Sequence, residues 1–332
     1  MASNSGRAEK PRLGVAVAAV VALAMCGLLP ALETGTASTA PPANEQGSLT
    51  FKPGQNGAYV FDTGVLRGTL RQGGKSLGLL PVAHVPSATR LDRSVGILSF
   101  YRVFTTNRRH WTAGWDWPST AALLPDGAVR ITWPALKDRP FELSGVYRWH
   151  DAQTLDVTTT VKAVQELDHF EVFLASYFQE SFSSPYVYVQ ANPQAGGKPG
   201  FMLARKSYGD WQMFPRDDAA VALVRDGRWT KEPHPVNWAV MPRLAAPVCV
   251  RRGGNSDLTM ILMAPPDDCF AIATPYEGEG HYSLYLSLFG RDIQAGETAV
   301  AHTRLVVATG SSDAQVLARY ERYVGELESS QP

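Results

Sequence analysis

Residues 141–178 alternate apolar and polar side chains so regularly that antiparallel β-structure is the natural way to bury them. Phe141, Leu143, Gly145 and Tyr147 fall on one face, then Leu155, Val157, Thr159 and Val161, then Phe170, Val172 and Leu174. A period of two, rich in β-branched and aromatic residues, marks half-buried strands. The breaks at 149–153 and 165–168 have hairpin length, which predicts a meander of three consecutive paired strands.

The same logic places shorter strands at 49–52, 58–63, 65–70, 79–84, 95–104 and 129–133 ahead of this segment. Beyond it strands are expected at 186–190, 220–224, 248–250, 258–263, 270–274, 282–289 and 298–307. Only the last stretch, 313–327, carries a helical pattern, through Val316, Leu317, Ala318, Tyr320, Tyr323, Val324 and Leu327. Many strands without crossover helices predict an all-β fold: a large antiparallel two-sheet β-supersandwich over 48–310, with a short C-terminal helix over 311–332.

The N-terminus reads differently. Arg7, Lys10 and Arg12 precede an apolar run from Leu13 to Leu29 that stops at Pro30. A basic segment followed by such a run is a signal peptide or an N-terminal membrane anchor, here over 1–32. Small, polar, Pro-containing residues over 33–47 form a flexible linker. The expectation is a protein exported to the periplasm, secreted, or held on the outer face of the cytoplasmic membrane. Of the 3 cysteines, Cys249 and Cys269 fall in the expected sandwich, and a disulfide and two buried thiols both fit an exported domain.

With 31 basic and 31 acidic residues the chain has no net charge. No strong field favours nucleic acid or an anionic bilayer, so contact with a membrane is expected only through the N-terminal segment. A nucleophile elbow, a P-loop, a dinucleotide fingerprint and a metal-ligand spacing are all missing, so no cofactor and no metal are expected.

Three short motifs resemble galactose mutarotase-like proteins, the fold of aldose 1-epimerases. They are the strand pattern ending Ala175-Ser176-Tyr177-Phe178, the Thr106-Asn107-Arg108 turn, and the Gln294-Ala295-Gly296-Glu297 turn into the last strand. The resemblance implies a β-supersandwich and a sugar ligand. It also implies a catalytic histidine at the position of Ala175, and an alanine has no proton to give. His169, an even six residues away, shares that face under strict alternation. His169 and His110 are therefore the candidate substitute acids.

Sugar chemistry at an anomeric centre needs an acid and a base on opposite sides of the ring. The candidate base is Glu277, with Glu279 and His281 as ligand contacts in the glycine-rich loop 275–281. The alternative is a pair of solvated acids. A second cluster joins Asn107, Arg108, His110, Trp111 and Asp116. Indole faces stack on sugar rings, while guanidinium and carboxylate groups bond hydroxyls or clamp a uronic-acid carboxylate. The alternative is a structural Arg–Asp pair among core tryptophans. The expectation joins both clusters in one cleft that binds a mono- or oligosaccharide. Trp211 and Trp229 suit either a second aromatic platform or the core. The rival functions are a divergent epimerase or glycan-processing enzyme using Glu277, and a non-catalytic structural protein of the envelope.

Overall fold

A computed structural model describes residues 47–72, 76–254 and 257–330. The leader or anchor over 1–32, and all but the last residue of the expected linker, lie outside the described residues.

The described residues build a nine-stranded sheet, a seven-stranded sheet and a five-stranded sheet. The two large sheets share one core. Leu143, Tyr147, Leu155, Val157 and Val161 meet Val172, Leu174, Ile272, Leu286 and Leu288 from the facing sheet. The fold is thus the expected antiparallel sandwich, with the five-stranded sheet of residues 48–90 as an addition. Phe51 and Phe61 of that sheet join the same core, and Phe61 lies 4.8 Å from the Trp149 ring.

The hairpin at the head of the alternating segment forms as its sequence predicts. Strand Phe141–Asp151 pairs with Thr154–Ala163, with Phe141 opposite Ala163 and Tyr147 opposite Val157. Gly145 sits where a methyl group would come within 2.8 Å of the Phe100 ring, so the strand needs a glycine there.

The expected meander of three paired strands is corrected at its third member. Strand Leu167–Tyr177 lies in the other sheet, between Ser283–Ile293 and Ser99–Thr105. The second edge of Thr154–Ala163 is filled by Thr298–Thr309 instead. The connection at 164–166 crosses from one sheet to the other, and Val164 donates its N–H to Pro140 O at 2.9 Å on the way. Hairpin length was a fair clue to a tight connection. It does not say which sheet receives the strand.

A second correction concerns 220–224, which is helical. Helix Asp218–Arg225 starts at Asp217, whose carboxylate accepts from the Ala220 N–H at 2.8 Å, and it buries Ala220, Leu223 and Val224. That i, i+3, i+4 spacing behind an N-capping aspartate is a helix signal.

The C-terminal helix Asp313–Ser329 opens with a capping box between Ser312 and Gln315. Its Val316, Tyr320 and Tyr323 cover Val248, Val250, Ile261 and Met263 on the outer face of the nine-stranded sheet. Arg304 reaches from the sheet to Asp156 and to Glu326 of the helix, both at 2.7 Å.

Candidate functional site

Along Leu167–Tyr177 the two faces have different fates. Val172 and Leu174 enter the core between the sheets, whereas Phe173, Ala175 and Tyr177 point outward. The outward face is partly roofed by helix Asp218–Arg225 and the segment 226–240, which carries Trp229 and Trp238. The part left open is a cleft of about 360 Å³.

Its floor is Phe173, Tyr177 and Tyr285; one wall is Tyr101 with Arg102, and the other is Trp211 with His281. Trp229, Trp238 and residues 234–236 form the roof. The Phe173 and Tyr285 rings stack 4.6 Å apart. Tyr101 is backed by Trp115, stacked at 4.4 Å and only 8° from parallel. Trp211 and Trp238 meet edge to face, with ring centroids 5.9 Å apart. Half-buried aromatic faces around a concave floor are the usual lining of a small-molecule site.

The polar groups are few and placed. Tyr285 donates its hydroxyl to Tyr177 at 3.2 Å and accepts from Ser283 at 2.8 Å. Burial pushes the Tyr285 phenol up to about 12, and raises Tyr177 as well. Ala175 lies opposite Tyr285 and on the same face as Phe173 and Tyr177, packed with the floor residues but not itself in the lining. The hydroxyls on this floor are those of Tyr177 and Tyr285.

On the wall, Glu279 grips His281 twice. Its carboxylate accepts from the His281 backbone N–H at 2.8 Å and meets ring Nδ1 at 2.6 Å. A carboxylate at Nδ1 favours the proton there and leaves Nε2 free to accept.

The roof is tied down from beneath. Arg228 donates to Glu171 at 2.9 Å and to Asp226 at 2.8 Å, and Ser287 donates to the other Glu171 oxygen at 2.8 Å. Glu171 and Arg228 are both fully buried. Burial pushes the Glu171 carboxyl up, against the pull of Arg228 and Ser287. This buried clamp joins the roof segment to the sheet.

The sequence-derived candidates divide. His281 lines the cleft and Glu279 orients it. Glu277 shares their loop but is not among the lining residues; its N–H donates to Ala204 O, and its Oε2 is buried without a partner.

The second cluster stays outside the lining. Asn107 sits at positive φ in the turn after Ser99–Thr105, and Arg108 donates to Asp138 O. Trp111 is exposed and donates its indole N–H to Asp138 at 2.6 Å. Asp116 ends the short turn Gly114–Asp116. His110 is buried edge-on against Phe141, which depresses its ring to about 4. His169 is exposed, bonded to Thr106 Oγ1 at 2.8 Å. Register shifts on both sides of Phe170 break the alternation that placed His169 on the Ala175 face.

What sequence reasoning missed is the pair Tyr101–Arg102, five residues before the chosen cluster, together with Tyr177, Tyr285 and Trp238. The strand holding Tyr101 is apolar on both faces, so alternation there is silent.

No family model matches the chain, and no curated protein matches it in sequence. Solved structures similar to it include a putative aldose 1-epimerase from Escherichia coli, 13% identical over 76% of this chain and 99% of that one, with a TM-score of 0.44. A galactose mutarotase-like protein from Lactobacillus casei is 9% identical over 76% of this chain and all of that one, with a TM-score of 0.46. An α-N-acetylgalactosaminidase from Bifidobacterium bifidum is 12% identical over 81% of this chain and 39% of that one, with a TM-score of 0.50. Galactose mutarotase-like proteins, to which the sequence motifs point, are thus among the structures similar to this fold. At these identities the likeness concerns the fold alone.

Proposed function

We propose that this protein binds a carbohydrate in the aromatic cleft on the outer face of its seven-stranded sheet, and that it does so outside the cytoplasmic membrane. The observation that carries the reading is the juxtaposition of Trp211, Trp238 and Tyr101 with His281 and Arg102 around one concave floor. Indole and phenol faces take the apolar side of a sugar ring, and the imidazole and guanidinium take its hydroxyls. The α-N-acetylgalactosaminidase among its structural neighbours supports the same reading. Export rests on the basic and apolar N-terminal segment, and a reporter fused after residue 47 tests it by activity outside the cytoplasm. The test of binding is isothermal titration of the full-length chain with a panel of mono- and oligosaccharides. Saturable heat whose affinity falls about tenfold in Trp211→Ala is expected; a flat panel moves the protein to a structural role in the envelope.

A catalytic reading has one specific observation behind it. The Glu279–His281 pair presents an oriented imidazole on the wall beside the Tyr177–Tyr285 hydroxyl pair of the floor, with the His281 and Tyr177 rings 6.2 Å apart. A base and an acid lining one cleft suit proton transfer on a bound sugar. In this reading His281 takes the role that the sequence assigned to Glu277. Turnover of a bound sugar that is abolished in His281→Gln, with affinity retained, is its expected outcome. Binding without turnover leaves the protein a lectin-like binder.

A further inference from the structure

Arg102 is the one permanently charged residue among the described residues that line the cleft, and none of the described residues forms an ion pair with it. The residue is only 4% exposed. Its guanidinium lies between two aromatic rings, 4.9 Å from the centre of Tyr101 and 5.2 Å from that of Trp229. Nη2 donates to the His234 carbonyl at 2.9 Å and to the Tyr101 hydroxyl at 3.3 Å. Nε and Nη1 are buried with no acceptor. Among the described residues Arg102 has no ion pair, and no aspartate or glutamate lines the cleft.

The surroundings add to the imbalance. Arg109 donates to the carbonyls of Pro233, Thr112 and Trp111, and burial together with the nearby Arg102 charge lowers it to about 10. Two guanidinium groups thus share this wall, bonded to carbonyls and to the Tyr101 hydroxyl; the Glu232 carboxylate acts on Arg109, and Arg102 has no ion pair among the described residues. Arg228 beside this sheet holds two carboxylates, whereas among the described residues the buried Arg139 and Arg251 hold only backbone carbonyls; Arg102 differs from all three in lining the cleft. Burying a charge without a counter-charge is costly, and cation–π contacts recover only part of that cost. A hydroxyl-only sugar would leave the charge uncompensated.

We propose that the ligand of this cleft is an acidic sugar, a uronate, whose carboxylate is taken by Arg102. The inference rests on the carbohydrate reading above and narrows it. A carboxylate brings two acceptor oxygens and one negative charge, matching a single guanidinium with donors to spare. A phosphate carries up to two charges at neutral pH, which Arg102 alone does not balance; Arg109 is not in the lining and its donors are taken by carbonyls.

The experiment is isothermal titration of the full-length chain at fixed pH and ionic strength. The probes are D-glucuronate and D-galacturonate, their neutral parents D-glucose and D-galactose, D-glucose 6-phosphate, and short oligomers of each uronate and each parent. The expected result is at least tenfold tighter binding of uronates than of the neutral parents. Arg102→Lys, which keeps the charge but removes the planar fork, should collapse that ratio towards one; its unfolding curve reports whether the fold is kept. If Arg102→Lys does not fold, the salt dependence of wild-type uronate binding replaces it, and affinity falling with salt is expected. Equal binding of neutral sugars and uronates overturns the acidic assignment and leaves the carbohydrate reading standing. Tighter binding of the 6-phosphate overturns the carboxylate. Binding of none of the probes overturns the carbohydrate reading itself.

Discussion

The clamp beneath the cleft makes a prediction that can be worked through. Replacing Arg228 by Met removes donors at 2.9 Å to Glu171 and 2.8 Å to Asp226, in a side chain with no exposure. Asp226 is partly exposed and recovers water, but among the described residues Glu171 keeps Ser287 alone as a side-chain donor. Breaking a buried pair from one side costs roughly 3–5 kcal/mol, because the remaining charge stays buried. Glu171 has an escape, since it can take up a proton. Its folded pKa, already raised by burial, then rises further. A carboxyl raised on folding contributes stability fully below its unfolded value, near 4.5, and loses it as pH climbs through the folded value. Arg228→Met should therefore be closer to wild type at pH 5 than at pH 8. Glu171→Gln should cost less, because Arg228 retains Asp226. Urea unfolding at both pH values, run as a double-mutant cycle, measures this. The expected coupling is about 3 kcal/mol at pH 8. A coupling under about 0.5 kcal/mol, or a cost of Arg228→Met that does not change with pH, refutes the reasoning.

Other expectations follow from the same structure. Truncating Trp211, half-buried on the cleft wall, should weaken sugar binding about tenfold, roughly 1.4 kcal/mol by titration, with the unfolding midpoint little changed. His110, depressed to about 4 from an ordinary 6.5, stays neutral when folded, so the unfolded chain binds more protons between those values. Wild type should lose up to about 3 kcal/mol more than His110→Gln as pH falls through that window, measured by paired urea curves. Cys249 and Cys269 are buried free thiols, and burial pushes Cys269 up to about 12 and Cys249 upward as well. Both should resist alkylation in the native protein and react in denaturant, read by peptide mass spectrometry. Ser312→Ala removes the capping box of the C-terminal helix and should cost about 1 kcal/mol in urea unfolding.

The large features of the fold were legible because one face of each strand is apolar and the other is not. Strand Phe141–Asp151 and its partner carry that contrast along their length. Legibility failed where both faces are covered. Strand Ser99–Thr105 packs inward through Phe100 and Val103 and outward through Tyr101 and Phe104, so nothing in its pattern marked Arg102 as a cleft residue. The same double burial hid the destination of Leu167–Tyr177, whose connection looked like a hairpin and is a crossover. Trp211 and Trp229, weighed between platform and core, do both: each packs in the outer cluster and lines the cleft. The loop 275–281 drew notice through its glycines and acids, and it does bring His281 to the wall. The turn at 107–111 drew notice through its aromatic and basic residues, but those residues bond Asp138 and neighbouring carbonyls instead.

The sugar is expected in one cleft, walled by Tyr101–Arg102 and Trp211–His281. A crystal structure grown with the tightest-binding saccharide of the panel tests it most directly. The expected density is a sugar ring against Trp211 or Trp238, with polar atoms within hydrogen-bond distance of Arg102 and His281. A sugar seated elsewhere, such as the groove along Ser48–Pro53 and Leu66–Arg71, with this cleft left empty, would contradict it.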